Sequence, residues 1–167
     1  MDSTHLHLLL NHFPIIGTIL GTGVMAYGYL SRSVQTQRAA LGTWVVMALI
    51  AIPVFLTGEP AEESVENLAG VSKALIEQHE EAAELAIWVM EALGILSLVA
   101  LFLSVKNAAV AKVVVGITFV LSLLTFGLMA RTGNLGGQSR HTEIRTGAAA
   151  TMPQDGGENG IKGAKDE

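Results

Sequence analysis

Four long apolar runs constrain this chain more than any other feature of its sequence. Each has about the 20 residues that an α-helix needs to cross the hydrocarbon core of a bilayer. Backbone polar groups inside lipid have to be satisfied within the chain, which favours helices over open strands. The sequence therefore predicts an all-α integral membrane four-helix bundle. Its four spans run from about Leu8 to Leu30, Ala39 to Thr57, Leu85 to Val105 and Val113 to Ala130.

Composition agrees with a membrane protein and excludes several kinds of function. Charged residues make up 15% of the 167 residues, against roughly 25% in ordinary soluble domains. The lipid bilayer is the expected partner, and an excess of 15 acidic over 10 basic residues argues against nucleic acid. The absence of cysteine excludes disulfides, iron–sulfur ligation and c-type haem attachment.

The domain organisation follows from what lies between and after the spans. Residues 1–145 are predicted to form one transmembrane domain, with an extra-membrane helical segment between the second and third spans. In that segment, Glu59-Pro60 followed by acidic residues is typical of a helix start. After Arg145 the chain has almost nothing to bury, so residues 146–167 are predicted to be a disordered C-terminal tail.

Basic residues are concentrated in the two short connections, and their positions predict the orientation. Short loops rich in Lys and Arg favour the cytoplasmic side. Both termini and the long connection are therefore predicted to lie outside. The basic residues of the short connections are Arg32, Arg38, Lys106 and Lys112.

An even number of spans separates the five histidines, so this topology places them all on the outer side. His5, His7 and His12 lie at the start of the first span, His79 precedes the third, and His141 follows the fourth. Imidazole is costly in hydrocarbon and useful as a metal or haem ligand. His12 and His79 are the strongest candidates because each borders a span, whereas His5 is interpreted as an interfacial residue.

Two ligand chemistries fit these residues. A b-type haem needs two axial imidazoles on facing helices with small residues beside the macrocycle, which His12 and His79 supply with small residues nearby. A bare Zn, Cu or Fe ion needs three or four imidazole or carboxylate ligands. The candidates for these are His7, His12, His79 and His141 together with Glu59 or Glu84. A third alternative is a structural or assembly subunit whose histidines only form hydrogen bonds. The candidate cofactor-binding residues are His7, His12, His79 and His141.

Glu84 and Glu91 are the proton-linked candidates. Glu91 lies about two turns inside the third span, where an unpaired carboxylate costs several kcal/mol. It is therefore expected to be protonated, hydrogen-bonded or part of a proton path. Glu84 lies on the same predicted helix face as Glu91, and most of that face is also explained as exposed to solvent.

The segment after the fourth span contains two adjacent glycines, Gly136 and Gly137. Glycines allow a tight turn, so the sequence predicts that the chain folds back over the bundle here. That turn would bring Arg140 and His141 to the candidate site.

Three stretches together resemble a bacterial family of uncharacterised four-helix membrane proteins, some of which are fused to Rieske-type domains. They are His7–Ile15, the His79-Glu-Glu-Ala-Ala run, and Thr132–Gly137 followed by His141. The family's first helix opens with a His-Pro-x-x-x-His-Phe-Pro-like motif, and this chain has Leu8 where proline is usual. The likeness covers residues 5 to about 145.

The resemblance implies a redox setting in a bacterial inner membrane and a likeness to four-helix b-type cytochromes. The leading expectation is a membrane electron-transfer protein, or a subunit of a respiratory complex, with haem b near the periplasmic face. Quinone and a redox partner are its expected partners. No catalytic activity of its own is expected, because the sequence contains neither a catalytic nucleophile motif nor a phosphate-binding loop.

Overall fold

The fold is known from a computed structural model that describes residues 2–68, 70–145 and 147–151. The described part of the chain is helical and contains no strand, which confirms the all-α prediction. Four of its helical stretches are long and apolar enough to cross a membrane. The helices are α1 (Ser3–Leu10), α2 (His12–Leu30), α3 (Val34–Leu56), α4 (Gly58–Glu63), α5 (Lys73–Lys106) and α6 (Ala108–Arg140), followed by 3₁₀ helices over Thr142–Ile144 and Gly147–Thr151.

Polar side chains cap the starts of α3 and α6. The side chains of Ser33 and Asn107 accept hydrogen bonds from backbone N–H groups in the first turns of α3 and α6, which satisfies donors that have no partner within the helix. Pro14 lies in the first turn of α2, where its missing N–H costs nothing. The hydroxyl of Thr18 donates to the Pro14 carbonyl at 2.6 Å.

The two long helices extend beyond the predicted spans. With 34 residues, α5 is about 51 Å long, so it projects beyond the ~30 Å hydrocarbon core. The predicted turn at Gly136 and Gly137 is wrong, because α6 continues to Arg140. These glycines serve close packing instead, since added Cβ atoms would meet the side chains of His79 and Ile144.

The core of the bundle combines large side chains with small ones. Trp44 is fully buried, and a Cβ on Gly21 would lie 2.6 Å from its indole nitrogen. Gly94 of α5 likewise packs closely against Ala48 of α3, because a Cβ at position 94 would collide with the Ala48 side chain. Small residues at helix contacts are typical of membrane bundles, where lipid removes the hydrophobic drive for association.

Hydroxyl groups occupy the middle of the bundle and link its helices. Thr22 of α2 donates to Ser122 of α6 at 3.0 Å, and the indole N–H of Trp44 donates to the Thr18 carbonyl at 3.3 Å. Such hydrogen bonds hold helices together in lipid. We call the end of the bundle with His7, His79 and α4 the histidine end, and the end with Arg32, Arg38, Lys106 and Lys112 the basic end.

The predicted disordered tail, residues 146–167, lies largely outside the described residues. Within it, Gly147–Thr151 form a 3₁₀ helix.

Candidate functional site at the histidine end

His79 is the central side chain of the histidine end. It projects from α5 onto α6, where its Nδ1 lies 2.9 Å from the carbonyl oxygen of Thr132. Gly136 follows Thr132 by one helical turn, and a Cβ at Gly136 would lie 3.0 Å from Cε1 of the His79 ring. The side chain of His79 is only 16% exposed. The ring therefore occupies a notch that exists because position 136 has no side chain.

His7 is held in a similar way by a different helix. It lies on α1, and its Nδ1 is 3.0 Å from the carbonyl oxygen of Val54 near the end of α3. A Cβ on Gly58, the first residue of α4, would lie 3.7 Å from the His7 ring. His7 therefore joins the short helices α1 and α4 to the end of α3.

The two hydrogen bonds determine the tautomer of both rings. A carbonyl oxygen only accepts, so Nδ1 carries the proton in His7 and in His79, and the lone pair of each neutral ring is on Nε2. Metal-ligating histidines commonly donate their second ring N–H to a carbonyl in this manner. The two rings are close enough to interact electrostatically. Both histidines thus present the ring nitrogen that a metal would use.

Glu62 of α4 completes the arrangement. Its Oε1 lies 3.6 Å from Nε2 of His79, and its side chain is 18% exposed. Its second oxygen is buried and has no hydrogen-bond partner. Burial, followed by the neighbouring carboxyl groups of Glu80 and Glu59, raises the pKa of Glu62 to about 8. Glu62 is therefore largely protonated at neutral pH.

The distance between Glu62 and His79 is informative because it is too long for a hydrogen bond. Two ligands of one tetrahedral ion, each bound at about 2.0–2.1 Å, lie roughly 3.4 Å apart. The observed 3.6 Å is close to that separation. Among the described residues, however, no three His, Asp or Glu side chains converge closely enough to hold a metal ion.

The structure does not bring His12 to His79. Pro14 is buried, and His12, two residues earlier, lies about 200° away around the helix. His12 is exposed and has no hydrogen bond or ion pair with the described residues. The residue that does face the His79 region is His7.

The other predicted residues lie outside this cluster. His141 is exposed and pairs with Glu143, with 2.8 Å between Nδ1 and Oε1. The pKa of the Glu143 carboxyl group is lowered, first by a hydrogen bond from the backbone N–H of Glu143 and then by the hydrogen bond from His141. His5 is exposed on α1, and Glu84 is exposed on α5.

Glu91 lies at the edge of the buried face of α5, where one of its carboxyl oxygens is buried without a hydrogen-bond partner. Its position inside a span is as the sequence predicts, and its role in proton transfer stays a prediction.

Two features of the histidine end escape sequence reasoning. Glu62 is one of several acidic residues at the start of a helix. The helix dipole alone accounts for acidic residues there, so the pattern does not indicate a site. Arg145, at the end of the predicted domain, is buried, and its guanidinium donates to the carbonyls of Gln138 at 2.7 Å, Ser139 at 3.0 Å and Gly70 at 2.8 Å. No local pattern marks it, because its partners are backbone carbonyls, one of them 75 positions away.

Comparisons with protein-family models, curated proteins and solved structures found no match to this chain. The resemblance to the uncharacterised four-helix family stays a prediction.

Proposed function

We propose that this protein is a multi-pass membrane protein that binds a transition-metal ion at its histidine end. The supporting observation is the 3.6 Å gap between Nε2 of His79 and Oε1 of Glu62. One nitrogen and one oxygen ligand at this spacing suit zinc, copper or iron, and the Glu62 carboxyl group would release its proton when the ion binds. The hydrogen bond to Thr132 fixes the His79 ring in the tautomer that coordination requires.

The remaining ligands would come from the same cluster. His7 offers Nε2 because its Nδ1 is bonded to the Val54 carbonyl, and Glu80 adjoins the Glu62 carboxyl group. Since the described side chains do not converge on one point, binding requires His7 or Glu80 to move toward the ion. Water would fill any open position.

A b-type haem is the second candidate. It is favoured because His7 and His79 are both hydrogen-bonded through Nδ1 to a backbone carbonyl. Two imidazoles with proton-bearing Nδ1 atoms on carbonyls and free Nε2 atoms are what bis-histidine haem ligation uses. His7 thus replaces His12 as the proposed partner of His79. Haem would supply one-electron transfer between the quinone pool and an outer-face partner, alone or within a respiratory complex. This alternative requires α1 and α5 to separate enough to admit the macrocycle.

Metal analysis and absorption spectra of the purified full-length protein test both candidates. Bound zinc, copper or iron without a Soret band supports the ion site, and a Soret band with a sharp reduced α band supports haem. His79→Ala is expected to abolish binding in either case. Glu62→Gln is expected to weaken ion binding at least ten-fold, because it replaces the carboxylate with a neutral amide, and to leave haem content unchanged.

His12→Ala is the matched control, because His12 is exposed and has no hydrogen-bond or ion-pair partner among the described residues. It is expected to keep the full metal or haem content. Unchanged content in His79→Ala, or a colourless protein that binds none of these metals, would overturn the proposal. The second result would favour a structural or assembly subunit.

A further inference from the structure

The lipid-facing side of α6 carries a groove near the basic end. The groove has a volume of about 610 Å³ and extends from Lys112 to Leu124, which is roughly 18 Å along the helix. This length is close to half of the ~30 Å hydrocarbon core, the depth of one leaflet. It is lined by Lys112, Val113, Gly116, Ile117, Val120, Leu121 and Leu124.

Two hydrogen-bond donors lie at the end of the groove nearest the basic end. Lys112 is exposed and forms no ion pair with the described residues. The hydroxyl of Tyr29 lies 3.8 Å from where a Cβ on Gly116 would be. That hydroxyl has no hydrogen bond with the described part of the chain, although the Tyr29 ring packs at 5.6 Å against Phe119. Gly116 thereby leaves the groove open beside a polar group.

We propose that this groove binds an anionic phospholipid. One acyl chain lies along the apolar wall between Gly116 and Leu124, and the phosphate is bound by the ammonium of Lys112 and the hydroxyl of Tyr29. The groove lies on the exposed side of α6, a helix that is long and apolar enough to cross a membrane. A lysine at the end of a span places its charge at headgroup level, where it attracts anionic lipids.

Native mass spectrometry of the detergent-solubilised full chain tests this inference. Phosphatidylglycerol and phosphatidylcholine with the same acyl chains are the probes. Wild type is expected to retain phosphatidylglycerol preferentially, and Lys112→Gln is expected to reduce that preference about five-fold. Gly116→Leu, which fills the groove, is expected to reduce binding of both lipids.

Lys106→Gln and Gly127→Leu are the matched controls. Lys106 is another exposed lysine of the basic end, and Gly127 has open space around it. Both variants are expected to bind phosphatidylglycerol as wild type does. The proposal fails if Lys112→Gln binds normally, or if Lys106→Gln loses as much preference. It also fails if Gly116→Leu changes the oligomeric state and leaves lipid binding intact, because the groove would then belong to a contact between two copies.

Discussion

At the residue scale, a missing side chain determines the position of the most buried imidazole at the histidine end. Gly136 leaves the Thr132 carbonyl accessible from the side, and His79 donates to that oxygen. A sequence pattern identifies His79 as a candidate because it precedes a span. It does not identify Gly136, because the same Gly-Gly pair is equally typical of a turn.

Gly136→Ala tests this dependence. A methyl group 3.0 Å from the His79 ring forces the imidazole or α6 to move, and such overpacking costs about 1–3 kcal/mol. Gly127→Ala is the control, because it adds the same methyl group in open space and raises helix propensity. Thermal unfolding in detergent should show a lower midpoint for Gly136→Ala and an unchanged or higher one for Gly127→Ala. Equal midpoints in the two variants would refute the packing role.

Glu62 gives the histidine end a defined pH dependence. Its pKa rises from 4.5 to about 8 in the folded protein, so the folded state holds a proton that the unfolded state releases. The stability this provides is complete below pH 4.5 and is lost as the pH rises through about 8. Metal-free wild type should therefore unfold more easily at pH 8.5 than at pH 5.5.

Comparing the pH dependence of stability in wild type and in Glu62→Gln separates the contribution of Glu62 from that of the other carboxylates. Glutamine stays neutral over the whole range, so the variant should lose much less stability between pH 5.5 and 8.5. Unfolding midpoints at a series of pH values measure the difference. Parallel curves for the two proteins would mean that Glu62 has an ordinary pKa.

At the element scale, helix existence is predictable and helix pairing is not. The four apolar runs predict four helices because each is long enough to cross a bilayer, and Glu59-Pro60 correctly predicts the start of α4. Periodicity also shows which residues share a face, but it does not show which neighbour that face meets. His12 lies on the face opposite Pro14, and only the packing of the bundle reveals which of these faces is buried.

Arg145 links α6 to the segment before α5 at the histidine end. Its guanidinium donates hydrogen bonds to backbone carbonyls in the last turn of α6 and to the carbonyl of Gly70, a residue that precedes α5. Arg145→Ala leaves these carbonyls without their charged donor and is expected to cost about 2–3 kcal/mol. Hydrogen exchange should accelerate at residues 70–76 and 136–144.

Arg131→Ala is the comparison variant, because Arg131 is exposed and has no hydrogen bond or ion pair with the described residues. It is expected to change neither stability nor exchange. If Arg145→Ala exchanges like Arg131→Ala, the contact to Gly70 contributes nothing to the order of this end.

At the scale of the whole molecule, the two ends differ in chemistry. One end holds the imidazoles and most of the acidic residues, and the other holds four basic residues in or beside the two short connections. The basic connections favour the cytoplasmic side, which places the histidine end and both termini outside. The side on which each end lies stays a prediction, whereas the four membrane-crossing helices follow from length and composition.

Reporter fusions test the orientation. Alkaline phosphatase joined after residue 151 is expected to be active in a bacterial host, because it folds in the oxidising periplasm. The same reporter inserted between Lys106 and Ala108 is expected to be inactive. The opposite pair of activities would reverse the orientation and place the histidines in the cytoplasm.

The length of α5 has a consequence for how the proposed site would be loaded. His79 lies six residues before Leu85, where the third span is predicted to begin, so in that prediction it stands about 9 Å above the hydrocarbon. At that height an ion from the surrounding solution reaches the imidazole without crossing lipid. In the proposed orientation, occupancy would follow the metal supply of the compartment outside the cytoplasm, and depletion of that supply would empty the site without any change inside the cell.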